Sequence, residues 1–173
     1  MKIAIIPARS GSKRIKNKNI KLFNGKPIIA WTIKTALKAK IFDKIIVSTD
    51  SKKIAKIAKS FGAEVPFLRS KNISDDKTNV GDVIKDEIIF FKNKKIKINY
   101  VCLLYATAPL LEKKELIKGC KLIEKSKKLD FVLSISRFNS PYHRALKIVN
   151  NRIVPNNKKN VNKRSQDLED LYY

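Results

Sequence analysis

The chain has 173 residues, with 39 Lys and Arg against 15 Asp and Glu, a formal charge of +24, 43% hydrophobic residues, two cysteines and one histidine. That is one domain's worth of chain with enough apolar residues for a packed core, which excludes wholesale disorder. No apolar run approaches the roughly eighteen residues of a membrane span, and the basic residues near the N-terminus follow the short apolar stretch, the reverse of a signal peptide, so the chain reads as soluble and cytoplasmic with no membrane partner.

Residues 2–7 (KIAIIP) predict a buried strand, and residues 27–40 a helix begun by Pro27, with Ile28, Trp31, Leu37 and Ile41 at helical spacing. Residues 44–47 are strand-like. Residues 51–61 carry Ile54, Ile57, Ala58 and Phe61 on one helical stripe, with Gly62 as the stop, and residues 64–68 predict the next strand. A loop over 69–77 leads to a helix over 80–91. The continuous apolar run YVCLLY at 100–105 predicts a central strand covered on both faces. Residues 112–127 predict a helix and 130–135 a further strand. From about Arg137 the rhythm fails, and residues 139–163, rich in Asn, Pro and Lys, predict an extended or hairpin excursion. The alternation of strand and helix implies an α/β fold in one domain spanning 1–173, with right-handed crossovers and a mostly parallel sheet flanked by helices.

The positive charge does not by itself point to nucleic acid. There are 32 lysines against 7 arginines, scattered through almost every segment, and Lys, Ile and Asn all have AT-rich codons. Genomic base composition accounts for most of the charge, leaving a general attraction for polyanionic ligands. With no nucleic-acid motif, no nucleic-acid partner is expected. Cys102 and Cys120 lie inside predicted elements without metal-ligand spacing, which excludes a disulfide framework or a zinc site and leaves buried thiols.

In an open parallel sheet, ligands bind beyond the carboxyl ends of the strands, which here are residues 7–14, 48–50, 69–78 and 105–109. The first of these is the most informative. In PARSGSKRIKNKN, small residues stand where backbone must approach a ligand, and N–H groups near Ser10, Gly11 and Ser12 can donate to phosphate oxygens. Arg9 and Lys18 could neutralise charge building on a departing pyrophosphate. The string is neither GxGxxG nor GxxxxGK[ST], so neither a dinucleotide fingerprint nor a P-loop is supported. Taken by itself, a Lys-rich surface turn fits it equally well.

Order adds to this. Ala8, Arg9, Ser12, Lys13, Lys18 and Asn19 resemble the signature A-R-x-x-S-K-x-x-x-x-K-N of the sugar-acid cytidylyltransferases, the CMP-sialate synthetase group. The resemblance continues through residues 42–50 (FDKIIVSTD), 62–65 (GAEV), Leu68-Arg69 and residues 75–78 (DDKT), covering nearly the whole chain. It implies a Rossmann-like nucleotidyltransferase fold of the glycosyltransferase-A kind, a three-layer sandwich, and transfer of CMP from CTP to a nonulosonic acid with release of pyrophosphate. Residues 104–111 (LYATAPLL) lack the glutamine and arginine of the neuraminate pattern L-Q-P-T-S-P-L-R. They resemble the pseudaminic acid branch, as do residues 66–69 (PFLR) and 164–169 (RSQDLE); legionaminate, neuraminate and 3-deoxy-octulosonate remain the alternatives. Exchanging an amide and a guanidinium for a phenol and an aliphatic chain makes a less polar pocket, suited to a sugar with fewer hydroxyls.

Carried over by position, the resemblance assigns Arg9 and Lys18 to the CTP phosphates as catalytic residues, with Lys13 beside them. It gives Ala8, Ser10 and Asn19 to the nucleotide pocket and Arg69 and Thr78 to the cytidine, unless those two merely hold their loop. Tyr105 and Thr107 fall to the sugar, Tyr105 being otherwise a core aromatic, and Arg144, Arg164 and Gln166 to the sugar carboxylate, which an arginine fork matches. His143 reads as an ordinary loop histidine, with a sugar contact as the alternative. Magnesium is the implied cofactor and a homodimer built through residues 139–163 the implied assembly. The family's C-terminal D-I-D-T-x-x-D-like metal motif is not found in these residues, so the expectation is a chain that binds CTP but turns over poorly, with no metal ligand assigned. Asp50 reads as a cap of the following helix and Asp76 as a loop-shaping residue.

Overall fold

Isoleucines and small residues without charge favour a strand that can be buried on both faces, and in the computed structural model β1 (Lys2–Pro7) has Ile3, Ala4, Ile5 and Ile6 all fully buried. The structure describes residues 1–75, 78–126, 128–139, 142–161, 163–164, 167–169 and 171–172, in two units, Met1–Lys127 and Lys128–Tyr173.

In the first unit β1 lies between β4 (Lys44–Ser48) and β5 (Tyr100–Leu103), both parallel to it. Between β1 and β4 comes a small antiparallel hairpin, β2 (Leu22–Phe23) and β3 (Lys26–Pro27). Its turn is Asn24-Gly25 with φ of 46° and 74°, the doubly positive geometry that Asn-Gly tolerates. Helices α1 (Ile28–Ala39) and α2 (Lys52–Ser60) supply Ile29, Ile33, Ala36, Ile54 and Ala58 to the core on one side of the sheet. On the opposite side Ile3, Ile5 and Ile46 meet Phe91 of α3 (Val80–Asn93). A fourth helix, α4 (Lys113–Lys125), packs Leu116 against the first cluster but has no buried residue of its own. The expected parallel sheet with helices on both faces is present.

Several local expectations change. The central strand is β1, whereas 100–105 pairs through 100–103 with β1 and, among the described residues, with no second strand. An apolar run signals burial but not which neighbours supply it. Residues 64–68 touch the sheet through isolated bridges, Ile46 to Glu64 and Thr49 to Leu68. The buried stripe of α1 is Ile29, Ala30, Ile33 and Ala36, not the expected set headed by Ile28 and Trp31. Trp31 instead donates from Nε1 to the Phe23 carbonyl at 2.9 Å, which draws it to the β2–β3 hairpin because an indole N–H needs a partner. On α2 the expected stop holds: Gly62 has φ of +93°, and a Cβ there would stand 3.0 Å from Leu37 Cδ1.

In the second unit, β6 (Leu146–Val149) and β7 (Arg152–Pro155) form an antiparallel hairpin turned by Asn150 and Asn151, both at positive φ. This is the region expected to be an extended or hairpin excursion. Residues 130–135 are not a strand, although Phe131, Leu133 and Ile135 keep the period of two that predicted one. All three are exposed. Periodicity supplies a strand's faces, and a ladder partner must supply its hydrogen bonds.

Candidate functional site

The carboxyl ends of β1 and β4 converge because the strands are parallel and in register, with Pro7 opposite Ser48. The chain leaving β1 stays tied to β4: the buried Ala8 donates from its N–H to the Ser48 carbonyl at 2.9 Å. Ser10 then donates twice to Asp50, from its backbone N–H at 2.8 Å to Oδ1 and from its hydroxyl at 2.6 Å to Oδ2. Asp50 is therefore not the cap of α2; Ser51 is, accepting from the Ile54 N–H. The carboxylate that could have closed a helix end instead shapes the loop.

Asn19 closes the other end of that loop. It is buried, and its Nδ2 donates to the Arg9 carbonyl at 2.9 Å, within a short 3-10 turn at Lys18–Ile20 that follows Asn17 at φ 54°. Arg9 and Lys18, each half-buried, are thus held at the two ends of one tethered loop, with Lys13 exposed between them. Gly11 is not required by space, since a Cβ there would meet Arg9 Nη1 at an ordinary 3.7 Å.

Arg69 enters from the next crossover. Its N–H donates to the Thr49 carbonyl at 2.9 Å, its Nε to Ser74 Oγ at 3.1 Å, and the residue is 5% exposed. Burial lowers the guanidinium's pKa, Asp50 and Glu87 pull it back up, Arg9 pushes it down, and Asp86 adds a smaller upward pull. Burial would raise the Asp50 carboxyl, but the Ser10 bonds, its own N–H and Arg69 outweigh that and hold it below its usual range. Thr78 gives its N–H and its hydroxyl hydrogen to Asp75 Oδ1 at 2.7 and 2.6 Å.

At the end of β5, the Tyr105 side chain is exposed, which sets aside the reading of a core aromatic, and its carbonyl accepts from Thr32 Oγ1 at 3.1 Å. Thr107 is half-buried in the turn that follows. The sugar-carboxylate candidates belong to the second unit. Arg144 ends a 3-10 turn at Tyr142–Arg144, Arg164 is exposed and pairs with Asp167 at 2.9 Å, and Gln166 lies outside the described residues, as does Asp76.

The structure brings Ala8, Arg9, Ser10, Asn19, Asp50 and Arg69 to one end of the sheet. Sequence reasoning missed the role of Asp50 and missed Glu87 altogether. Glu87 stands at the fourth position between Val83 and Phe91 on the buried stripe of α3, and an acid on an apolar stripe is the signal that could have found it.

A family model described as "Cytidylyltransferase" matches residues 3–172. The chain is 40% identical over 174 residues to the pseudaminic acid cytidylyltransferase of Campylobacter jejuni subsp. jejuni, covering 99% of this chain and 74% of that one. It is 42% identical over 123 residues to the CMP-N,N'-diacetyllegionaminic acid synthase of Legionella pneumophila, covering 71% of this chain and 53% of the relative. Among solved structures, CMP:2-keto-3-deoxy-manno-octonic acid synthetase complexed with CTP superposes with a TM-score of 0.63 at 20% identity, over 74% of this chain and 49% of that one. At that identity the likeness speaks for the fold.

Proposed function

We propose, from the premise that this chain belongs to the cytidylyltransferase family, that it transfers CMP from CTP to the anomeric hydroxyl of pseudaminic acid and releases pyrophosphate. The observation that carries the reading is the 40% identity over 99% of the chain to a pseudaminic acid cytidylyltransferase. The tethered loop after β1 supports it, because small residues and two flanking cations suit a polyphosphate.

In this reading the sugar hydroxyl attacks the α-phosphorus in line, so the protein's work is positioning and charge neutralisation, without a covalent protein nucleophile. Arg9 and Lys18 act on the phosphates, with Lys13 in support, while Ala8, Ser10 and Asn19 line the nucleotide pocket. Asp50 fixes the Ser10 hydroxyl and amide. Arg69 approaches the cytidine, and Thr78 does so through its carbonyl or a hydroxyl lone pair, its donors being given to Asp75. Tyr105 and Thr107 face the sugar, with Arg144, Arg164 and Gln166 as candidates for its carboxylate. Magnesium is the family's expected cation. Among the described residues no three His, Cys, Asp or Glu side chains gather to hold one, and Asp50, whose two oxygens accept from Ser10, is the carboxylate that stands at the loop after β1.

The deciding experiment offers CTP with pseudaminic, legionaminic, neuraminic and 3-deoxy-octulosonic acids separately and measures the CMP conjugate and pyrophosphate. Pseudaminic acid is expected to give the highest kcat/KM. A higher value with legionaminic acid would favour the second reading, which the 42% identity to the Legionella synthase supports. Calorimetric titration with CTP, UTP, ATP and GTP is expected to show CTP bound most tightly, and equal affinity for ATP and CTP would remove the base selectivity.

The reading includes a cytoplasmic location, where CTP is made; among the described residues no helix is long and apolar enough to cross a membrane. It also includes a homodimer through residues 139–163, because Leu146, Ile148 and Ile153 of the β6–β7 hairpin are exposed and Ile148 and Ile153 stand directly opposite each other. Sedimentation at micromolar concentration is expected to show a dimer that Ile148→Lys converts to a folded monomer. A monomeric parent protein would end the dimer proposal.

A further inference from the structure

On the buried stripe of α3, near the last residue of β4, lies a polar group that the proposed chemistry leaves unused. Glu87 of α3 has no exposure to solvent, and neither of its carboxylate oxygens has a hydrogen-bond partner among the described residues. Ser48, on the last residue of β4, is also buried, and its hydroxyl is likewise without a partner. The Ser48 hydroxyl lies near enough to favour an ionised Glu87 without reaching hydrogen-bond geometry. A carboxylate so placed is costly unless a cation or a proton compensates it.

The charged groups acting on Glu87 are few. Asp86, its neighbour on α3, disfavours ionisation, and Arg69 favours it. Arg9 and Asp50 of the strand-end loops act on Arg69. Arg69 makes no hydrogen bond or ion pair to Glu87, and its Nε is given to Ser74, so the buried guanidinium acts on Glu87 through space, as it does on Asp50.

We propose that Glu87 is a positioning residue for Arg69, serving as its counter-ion in the empty site and taking up a proton when a nucleoside triphosphate engages Arg69. The inference rests on the nucleotide-binding reading above and adds to it a proton linkage. Each added negative charge near the site, and each loss of Arg69's attention, favours the protonated acid. The burial of Glu87, which already raises its pKa from 4.5 to about 7, places the exchange in the neutral range.

Calorimetry of CTP binding in two buffers of different ionisation enthalpy at pH 7.5 reads the proton directly. The wild-type protein is expected to take up about half a proton more per CTP than Glu87→Gln, if ligand raises the acid's pKa by about one unit. The phosphate's own titration is common to both proteins and cancels. On the same basis the wild-type affinity relative to that of the variant is expected to fall about fivefold from pH 6 to pH 8. Glu87→Asp should retain the uptake. Identical proton counts in wild type and Glu87→Gln overturn the inference while leaving CTP binding intact. Carboxyl carbon NMR of the ligand-free protein supplies the independent arm: Glu87 is expected to titrate near neutrality, and Arg69→Gln to move its midpoint upward. An unmoved midpoint overturns the Glu87–Arg69 coupling even if CTP binds; absence of CTP binding with a moved midpoint overturns the nucleotide reading instead.

Discussion

Lys18→Ala and Arg9→Ala are each expected to slow CMP transfer by about a hundredfold, with little loss of stability. The asymmetry follows from placement. Both side chains are half-buried at the ends of a loop anchored by other groups, the Asn19 amide on the Arg9 carbonyl and Ser10 on Asp50, so removing either cation leaves the tethers standing. The charge it removes is one that would act on negative charge developing as pyrophosphate leaves. Losing one such preorganised contact costs on the order of 3 kcal/mol in the barrier. Single-turnover rates with saturating CTP and pseudaminic acid, alongside thermal unfolding of each variant, measure both halves of the expectation. Near-parental turnover in either variant would make that residue a solvated surface cation.

Glu87→Gln is expected to have the opposite character, stabilising the protein above neutral pH. The folded-state pKa of Glu87 lies above its ordinary 4.5, at about 7. Its contribution to stability is therefore fully present below about pH 4.5 and is lost as pH rises through about 7, because the unfolded chain ionises first. The displacement corresponds to roughly 3 kcal/mol lost across that window, on the order of a fifth to a half of a small domain's stability. Glutamine cannot ionise, so the variant should lack this slope and exceed the wild type by an increasing margin between pH 5 and pH 8. Urea unfolding at several pH values decides the matter, and parallel curves for the two proteins would show that Glu87 is not titrating in the folded state. A destabilising acid buried near the last residue of β4 is the pattern expected where function competes with stability.

Much of this site was legible before the structure. The rule that ligands meet a parallel sheet at its carboxyl ends pointed to the loop after β1 and to residues 69–78, and the resemblance carried Arg9, Ser10 and Asn19 to the first and Arg69 to the second. Those residues do converge: β1 and β4 are parallel and in register, the Asn19 amide ties its loop back to the Arg9 carbonyl, and the Arg69 N–H bonds the Thr49 carbonyl just after β4. Thr78 was legible as a position but not as a chemistry, since its donors turn inward to Asp75. The partner of Asp50 was not legible, because Asp50 and Ser51 are adjacent and either could cap α2 by residue type.

The sequence by itself determined the elements whose signals are local. β1 follows from an uncharged isoleucine run, and the end of α2 from a glycine that tolerates a φ of +93°; the Asn24-Gly25 signal of the β2–β3 hairpin went unread. The tertiary structure decided everything that depends on a second element. It chose β1 over residues 100–105 as the centre, rotated α1 to bury Ile29 and Ile33 in place of Trp31, and left 130–135 with a strand's periodicity but no ladder. It also enclosed Glu87 at a helical position where the sequence showed only an acid among apolar neighbours. A period of two or 3.6 says which side chains share a face; whether that face meets water, a sheet or an arginine is set by what packs against it.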